Sequence, residues 1–204
     1  MKTLINSVKS NVIAIILLAS LFSINASAAT VTLEKGALTT DIKKVVVTGN
    51  TKVILIQAAA ESVNVDEADL NKVSVKQLGN TLTISSAEKN PVTVVVYVKD
   101  IYRIDASGKS SVNTAGKFAV KALQVMLKGD ASARVKVKTE SLYTVINDHA
   151  NLQLIGTSDN HISKISGLAK MDTNKFAALK TEDVNTLAGV TASASDSQND
   201  NLSK

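Results

Sequence analysis

A repeated unit of about twenty residues runs from Ile101 to Thr173 and constrains the fold more than any other feature of the sequence. Its anchors are Gly108, Gly129, Asp148 and Gly167, which are separated by 21, 19 and 19 residues. Such a period is typical of solenoids, in which each repeat adds one unit to a stack. Glycine or a short Asx residue at the anchor suits a corner at which the backbone needs positive φ.

Superposing the four copies on their anchors aligns five columns of residues, and neighbouring columns within a strand are two residues apart. The columns are Tyr102/Leu123/Leu142/His161, Ile104/Val125/Thr144/Ser163, Ala106/Leu127/Ile146/Ile165, Val112/Ala133/Leu152/Met171 and Thr114/Val135/Leu154/Thr173. Apolar side chains dominate three of them, and alternation with period two is the pattern of strands with one inward face. The sequence therefore predicts an all-β fold, a short parallel β-helix or solenoid.

The residues before the repeats predict further strands and a hairpin. Gly49 precedes Val53 by four residues, the same gap that separates Gly108 from Val112, so the same corner is expected there. Residues 73–84 read as a hairpin that turns at 78–80. Val92–Val98 is a near-continuous apolar run that predicts a strand buried on both faces. The N-terminal part is thus expected to be rich in hairpins.

The two ends of the chain predict segments outside the folded domain. Residues 1–28 carry Lys2 and Lys9, then an apolar run, then the small-residue site Ala26-Ser27-Ala28, which is the order of a cleaved signal peptide. The alternative, a transmembrane anchor, is weaker because the apolar run is shorter than the ~20 residues that span a bilayer. The expected domain is 29–190, with an imperfect fifth copy at 176–190. Residues 191–204 are expected to form a disordered polar tail.

Composition excludes several classes of function. The chain has no cysteine, which removes disulfides, thiolate nucleophiles and common structural zinc sites. Its net charge of +5 falls to +3 without the two lysines of residues 1–28. The lysines are scattered and only 3% of residues are aromatic, so no nucleic-acid partner is expected.

Three segments carry a family resemblance: IKKVVVTGNTKV (42–53), GNTLTI (79–84) and VVVYVKDIYRIDASG (94–108). They resemble the head GIN domain family, described as "putative auto-transporter adhesin" domains of exported bacterial proteins, and the likeness covers about residues 30–190. The resemblance implies a β-helix-like fold and supplies no catalytic, cofactor or metal residues. The family's usual Ser-Gly-Ser or Ser-Gly-Ala corner is kept at Ser107-Gly108 and Ser166-Gly167. It is replaced at Lys128-Gly129 and Asn147-Asp148.

The column after the anchor bears most directly on chemistry, and it reads Lys109, Asp130, His149 and Leu168. On adjacent rungs Asp130 could orient His149 as an acid/base pair, or the column is an exposed ladder of opposite charges. The ladder is the favoured interpretation, because no serine or second carboxylate completes a catalytic unit. The next column, Ser110/Ala131/Ala150/Ala169, suits close corner packing or a flat face for a partner.

The remaining candidates are interpreted as structural. His161 falls in an inward column and is expected to be a satisfied core residue or to cap a rung. Asp66, Glu67 and Asp69 are expected to lie in a solvated turn. Arg134 and Asp172 share a column, but two rungs separate them. We therefore expect no catalytic, cofactor-binding or metal residues and no cofactor.

The predicted function is an exported, non-catalytic binding or adhesin-like module of the periplasm, the cell surface or the medium. Its ligand would be a surface component, a glycan or a protein. No transmembrane segment is expected after signal cleavage. Assembly of several copies into a homo-oligomer is compatible with the sequence. The alternative is a carbohydrate-active β-helix enzyme, a polysaccharide lyase or hydrolase. Two or more carboxylates around one groove would favour that alternative.

Overall fold

The computed structural model of the protein describes residues 30–32 and 41–184, and it is all-β, as predicted. The predicted signal peptide, tail and residues 185–190 lie outside the described residues. The strands are β1 Thr30–Thr32, β2 Lys44–Gly49, β3 Thr51–Gln57, β4 Ser62–Asp66, β5 Ser74–Leu78, β6 Thr81–Ser86, β7 Val92–Val98, β8 Arg103–Gly108, β9 Ser111–Ala115, β10 Ala119–Gly129, β11 Ser132–Ile146, β12 Asn151–Ile165 and β13 Lys170–Asp183. A 3-10 helix, Glu67–Lys72, follows β4. In this part of the chain no helix has both the length and the apolar character needed to span a bilayer.

The strands form one continuous curled sheet with two stacks of parallel strands. In the first stack, β6, β2, β8 and the C-terminal parts of β10, β11 and β12 pair in that order. In the second stack, β7, β3, β9 and the N-terminal parts of β11, β12 and β13 pair in that order. Contacts such as Thr144 Oγ1 to Met171 Sδ at 3.9 Å connect the inward faces of the two stacks. The stacks therefore enclose a common core.

The predicted corners join the two stacks. Gly49, Gly108, Gly129, Asp148 and Gly167 all have φ between 62° and 72°. A Cβ on Gly108 would lie 3.3 Å from the Gly49 nitrogen, so successive corners stack backbone on backbone. Asp148 tolerates the left-handed conformation because its carboxylate Oδ2 accepts a hydrogen bond of 2.8 Å from the Gly129 N–H. The prediction of a corner with positive φ at these positions is confirmed.

The inward columns form an aliphatic core. The residues Val45, Ile104, Val125 and Thr144 pair across successive rungs of the first stack, and all are fully buried. In the second stack the buried residues of one column are Val53, Val112, Ala133 and Leu152. The small residues Ser110, Ala131 and Ala150 are buried inside the corner, so they serve packing and not a face for a partner.

Antiparallel pairs cap the N-terminal end of the stacks. The predicted hairpin is confirmed, because β5 pairs antiparallel with β6 and Gly79 turns with φ of 55°. β4 pairs antiparallel with β7 and with β1, which are distant from it in sequence, so the described residues contain one hairpin and the expectation of several is wrong. The strand Val92–Val98 is also confirmed, but the prediction that both its faces are buried is wrong. Its residues alternate between fully buried and partly exposed, because the curled sheet leaves one face to solvent.

Two residues of the predicted columns do not face the core. Tyr102 is largely exposed, and Ile101 fills the interior just before β8 instead. Thr173 is exposed because the β12–β13 register shifts by one residue between Gln153 and Ile155. A bulge of this kind turns the following side chains to the opposite face. Residues 176–179 were predicted to begin a fifth copy of the repeat. They instead belong to β13, the strand that follows the corner of the fourth copy.

Candidate ligand-binding surface

The Lys109, Asp130, His149 and Leu168 column lies on the surface of the corners. The His149 Nδ1 and Asp130 Oδ1 atoms are 3.9 Å apart, and their side chains are 64% and 66% exposed. Leu168 is 70% exposed, and within residues 41–184 Lys109 makes no ion pair. An exposed pair at this distance is worth at most a few tenths of a kcal/mol. The structure thus brings Asp130 and His149 together as a solvated ladder.

The triple substitution of Lys109, Asp130 and His149 by alanine should leave the fold intact. Because all three side chains are exposed, we expect a melting temperature within a few degrees of that of the wild type. Thermal denaturation followed by circular dichroism measures it. A drop of more than about 8 °C would show that the column contributes to the core after all.

His161 is buried between the two stacks, as expected of a satisfied core residue. Its ring is 2% exposed, its Nε2 lies 3.0 Å from the Thr144 hydroxyl, and it packs edge-on against Phe176 with ring centroids 5.4 Å apart. Burial lowers the pKa of His161 below its ordinary value, because a protonated ring would lose its hydration. The neutral imidazole is therefore the form that the core accepts.

This burial predicts a pH dependence of stability. Above about pH 6.5 the ring is neutral in both folded and unfolded chains, and below it the unfolded chain binds a proton more readily. The contribution of His161 to stability should therefore be complete near neutral pH and decline as the pH falls. We expect the free energy of unfolding, measured with urea, to fall less between pH 7.5 and pH 5 for His161→Leu than for the wild type. His149→Ala is the control. Equal losses in all three proteins would contradict it.

The acidic cluster after β4 serves the local backbone. The Asp66 carboxylate accepts a hydrogen bond of 3.0 Å from the Ala68 N–H and caps the 3-10 helix. Asp69 pairs with Lys72 at 2.7 Å. Nowhere in the described segments do three His, Asp or Glu side chains converge closely enough to hold a metal ion.

A groove of about 560 Å³ crosses the outer face of the second stack, and we call it the polar groove. Two rows of outward side chains on successive strands line it, and the apolar residues between the rows, Val112, Ala133, Leu152 and Met171, line it as well. One row is Lys52, Ser111, Ser132, Asn151 and Lys170, and the other is Asn113, Arg134, Gln153 and Asp172. The parallel register places each residue beside its neighbour at the usual strand spacing of about 4.8 Å. The groove therefore presents regularly spaced hydroxyl, amide and charged groups.

Positive charge dominates the polar groove. The Asp172 carboxylate accepts hydrogen bonds from the Asn174 N–H at 3.0 Å and from Gln153 Nε2 at 2.9 Å. The Asn174 bond first, and then the Gln153 bond, hold the pKa of Asp172 below its ordinary value, so it is ionised. Lys52, Arg134 and Lys170 make no ion pair with any described residue. The groove therefore contains three cations and one carboxylate, and that carboxylate already accepts hydrogen bonds from other groups of the protein.

Sequence reasoning placed Arg134 and Asp172 in one column but interpreted both residues as structural. It missed Lys52 and Lys170, which complete the charge of the polar groove. The sequence pattern that could have identified them is the residue that directly precedes each inward residue at the start of the strands of the second stack. Lys52, Ser111, Ser132, Asn151 and Lys170 all occupy that position.

A second groove of about 340 Å³ lies on the outer face of the first stack. Val46, Met126 and Val145 supply apolar side chains there. Arg103 also lines this groove, and Asp105 binds its Nε at 2.7 Å. Asp105 also binds Lys44 Nζ at 2.9 Å, so much of the local positive charge is neutralised within the protein.

A third groove, at the bends opposite the glycine corners, contains three carboxylates. Asp100, Glu140 and Asp159 line it together with Lys121 and Lys138. Three carboxylates around one groove satisfy the number of two or more that would favour a carbohydrate-active enzyme. Their environment does not favour one, because all three carboxylates are exposed to solvent, whereas a general acid needs a buried setting that keeps it protonated near neutral pH.

Comparisons with known proteins agree on the architecture. A "putative adhesin" from Bacteroides fragilis is similar in structure, with a TM-score of 0.63, 14% identity and coverage of 70% of this chain and 71% of that chain. A "putative lipid binding protein" from Parabacteroides distasonis has a TM-score of 0.55, 15% identity and coverage of 72% and 75%. At these identities the likeness shows the fold alone. No curated protein matches the sequence, whereas the family model described as "Putative auto-transporter adhesin, head GIN domain" matches residues 41–200.

Proposed function

The chain belongs to the head GIN domain family, and from that premise we propose that it is an exported, non-catalytic binding module built on a short β-solenoid. The adhesin description of the family supports a binding role at the cell surface or in the periplasm. The proposed boundaries are residues 1–28 for the signal peptide, 29–190 for the domain and 191–204 for a polar tail. Support for the solenoid comes from the parallel pairing of β10, β11, β12 and β13 around repeated corners.

The polar groove is the observation that carries the proposal. It has a volume of about 560 Å³ and is open to solvent. It contains three cations, Lys52, Arg134 and Lys170, that have no acidic partner among the described residues. Charged groups that a protein leaves unpaired in a concave surface are suited to a charged ligand. Neither Ser111 nor Ser132, the two hydroxyl groups that line the groove, hydrogen-bonds to a base among the described residues, so binding explains the groove better than catalysis.

A lipid ligand is the second candidate, and the second groove favours it. Val46, Met126 and Val145 form an apolar floor there, with Arg103 and Lys128 beside it. Such a surface suits an acyl chain with an anionic headgroup, which would agree with the description of the Parabacteroides distasonis protein. The groove is smaller, and Asp105 neutralises part of its charge, so it ranks second.

Export is tested by mass spectrometry of the protein recovered after expression with its native N-terminus. We expect a chain that begins at Ala29, because signal peptidase cleaves after a small-residue site of the Ala26-Ser27-Ala28 kind. Recovery of a chain that begins at Met1 or Lys2 would contradict export by this route.

Binding is tested with the exported protein on a glycan array, on immobilised cell-envelope fractions and on phospholipid vesicles, with heat-denatured protein as the control. We expect saturable binding to at least one surface and no turnover of the polysaccharides tested. Release of reducing ends or of unsaturated sugars would establish the enzyme alternative. Binding to vesicles alone would favour the second groove, and binding to none of the surfaces would reject the binding role.

A further inference from the structure

We infer that the polar groove binds acidic polysaccharides, with their anionic groups held by Lys52, Arg134 and Lys170. This inference rests on the proposed binding function and names the class of ligand at the same surface. Three independent features of the groove support it: the spacing of its cations, the chemistry of its other side chains and the kinds of group that it lacks.

The three cations are evenly spaced along the groove. Lys52 on β3 and Lys170 on β13 each lie two strands away from β11, which carries Arg134. Two strand spacings correspond to about 10 Å, so the positive charges recur at regular intervals across the sheet. A flexible small anion needs only one such charge. Three charges at such intervals, with Arg134 in the row beside that of the two lysines, suit a polymer that carries acidic groups along its length.

Arg134 lies on the strand midway between the two lysines, in the neighbouring row, and is the strongest anchor. Its guanidinium is exposed, and its planar fork can hold a carboxylate or a sulfate with two parallel hydrogen bonds. The Asp172 carboxylate does not compete for it, because Gln153 and the Asn174 backbone already bind that group. The central cation is thus available to a ligand.

The neutral side chains between the cations suit sugar hydroxyl groups. Ser111, Ser132, Asn113, Asn151 and Gln153 line the groove, and hydroxyl and amide groups both donate and accept hydrogen bonds. Of these, the Gln153 amide nitrogen is already bound to Asp172, and Asn151 Nδ2 donates to the His149 carbonyl at 3.0 Å. Within residues 41–184 no hydrogen bond occupies their amide oxygens or the two serine hydroxyls.

The groove lacks the features that other polyanions need. No aromatic side chain lines it, whereas proteins that bind single-stranded nucleic acid stack the bases on aromatic rings. The groove lies on the face of the sheet, and its backbone groups pair within the ladder, so an acidic peptide could not add as a further strand. A hydroxyl-rich polyanion is the class that remains.

The test compares two triple variants that lose the same charge. Lys52→Gln, Arg134→Gln and Lys170→Gln together empty the groove of cations, while Lys76→Gln, Lys89→Gln and Lys117→Gln remove three exposed lysines elsewhere. The probes are polygalacturonate, heparin and a phosphorylated mannan, with dextran as the neutral polysaccharide and polyaspartate and single-stranded DNA as other polyanions. Isothermal titration and surface plasmon resonance at 0.15 M salt give the affinities.

We expect at least one acidic polysaccharide to bind, and the groove variant to weaken its binding at least about tenfold more than the control variant does. The carboxylated, sulfated and phosphorylated probes identify the anionic group. Equal weakening by both variants, tighter binding of polyaspartate or DNA, or no binding of any acidic polysaccharide would overturn the inference. If the protein binds envelope or neutral glycans in the screen above while the groove variant binds them normally, the inference fails and the binding function stands.

Discussion

Ile146→Asp should unfold the protein under conditions in which Lys109→Ala stays folded. Ile146 is fully buried in the first stack, between Leu127 and Ile165 on the neighbouring rungs. An unpaired carboxylate at this position costs on the order of several kcal/mol, which is comparable to the whole stability of a typical domain. Lys109 is exposed, and its truncation should change the stability by less than about 0.5 kcal/mol.

Urea unfolding followed by circular dichroism compares the two variants with the wild type. We expect Ile146→Asp to be unfolded or strongly destabilised without denaturant and Lys109→Ala to follow the wild-type curve. Ile146→Val serves as a second control, because it keeps the position apolar and should cost only about 1 kcal/mol. Similar midpoints for Ile146→Asp and Lys109→Ala would mean that the inward and outward faces are exchanged.

The second large effect is expected for Gly156→Ala. Gly156 has φ of 111°, which side-chain-bearing residues rarely adopt, and a Cβ there would lie 2.1 Å from the Val137 carbonyl oxygen. That oxygen belongs to the backbone of β11, so the clash can be relieved only by moving a strand in the middle of the second stack. The substitution therefore combines backbone strain of roughly 1–2 kcal/mol with the cost of separating paired strands.

Gly79→Ala is the matched control for Gly156→Ala. Gly79 also has positive φ, 55°, but no atom lies within 4 Å of an added Cβ. Its substitution should cost the dihedral strain alone. Differential scanning calorimetry should show a fall in melting temperature for Gly156→Ala that exceeds the fall for Gly79→Ala by at least about 5 °C. Equal falls would show that β11 accommodates the methyl group.

The repeat predicted most of the architecture because parallel strands that pair in register and turn at equivalent corners require equivalent residues at a constant interval in the sequence. The anchors Gly108, Gly129, Asp148 and Gly167 all turn with positive φ, and Leu127 and Ile146 pair as aligned. The alignment was wrong at Thr173. A fixed period assumes one residue opposite one residue, and the shift between Gln153 and Ile155 breaks that assumption without leaving a glycine or proline as a signal.

The polar groove was harder to predict than the core. Inward positions share an apolar character that reveals their column, whereas outward positions accept almost any polar residue. Lys52 comes from a strand that precedes the β5–β6 hairpin, and only the pairing of β3 with β9 places it in the same row as Ser111. The sequence carries no periodic signal across that interruption, so the convergence of Lys52, Arg134 and Lys170 required the three-dimensional register.

The paired strands differ in how many residues separate them along the chain, and this difference affects the order in which the molecule folds. Leu123 and Leu142 pair across 19 residues, whereas Val45 and Ile104 pair across 59. Closing the longer loop costs about 1 kcal/mol more in chain entropy, before the hairpin of β5 and β6 between the two strands is formed. Apart from that hairpin, the parallel pairs from β10 to β13 join the residues that are nearest in sequence and provide the natural nucleus. The N-terminal strands then dock onto a template whose corners at Gly129, Asp148 and Gly167 are already set.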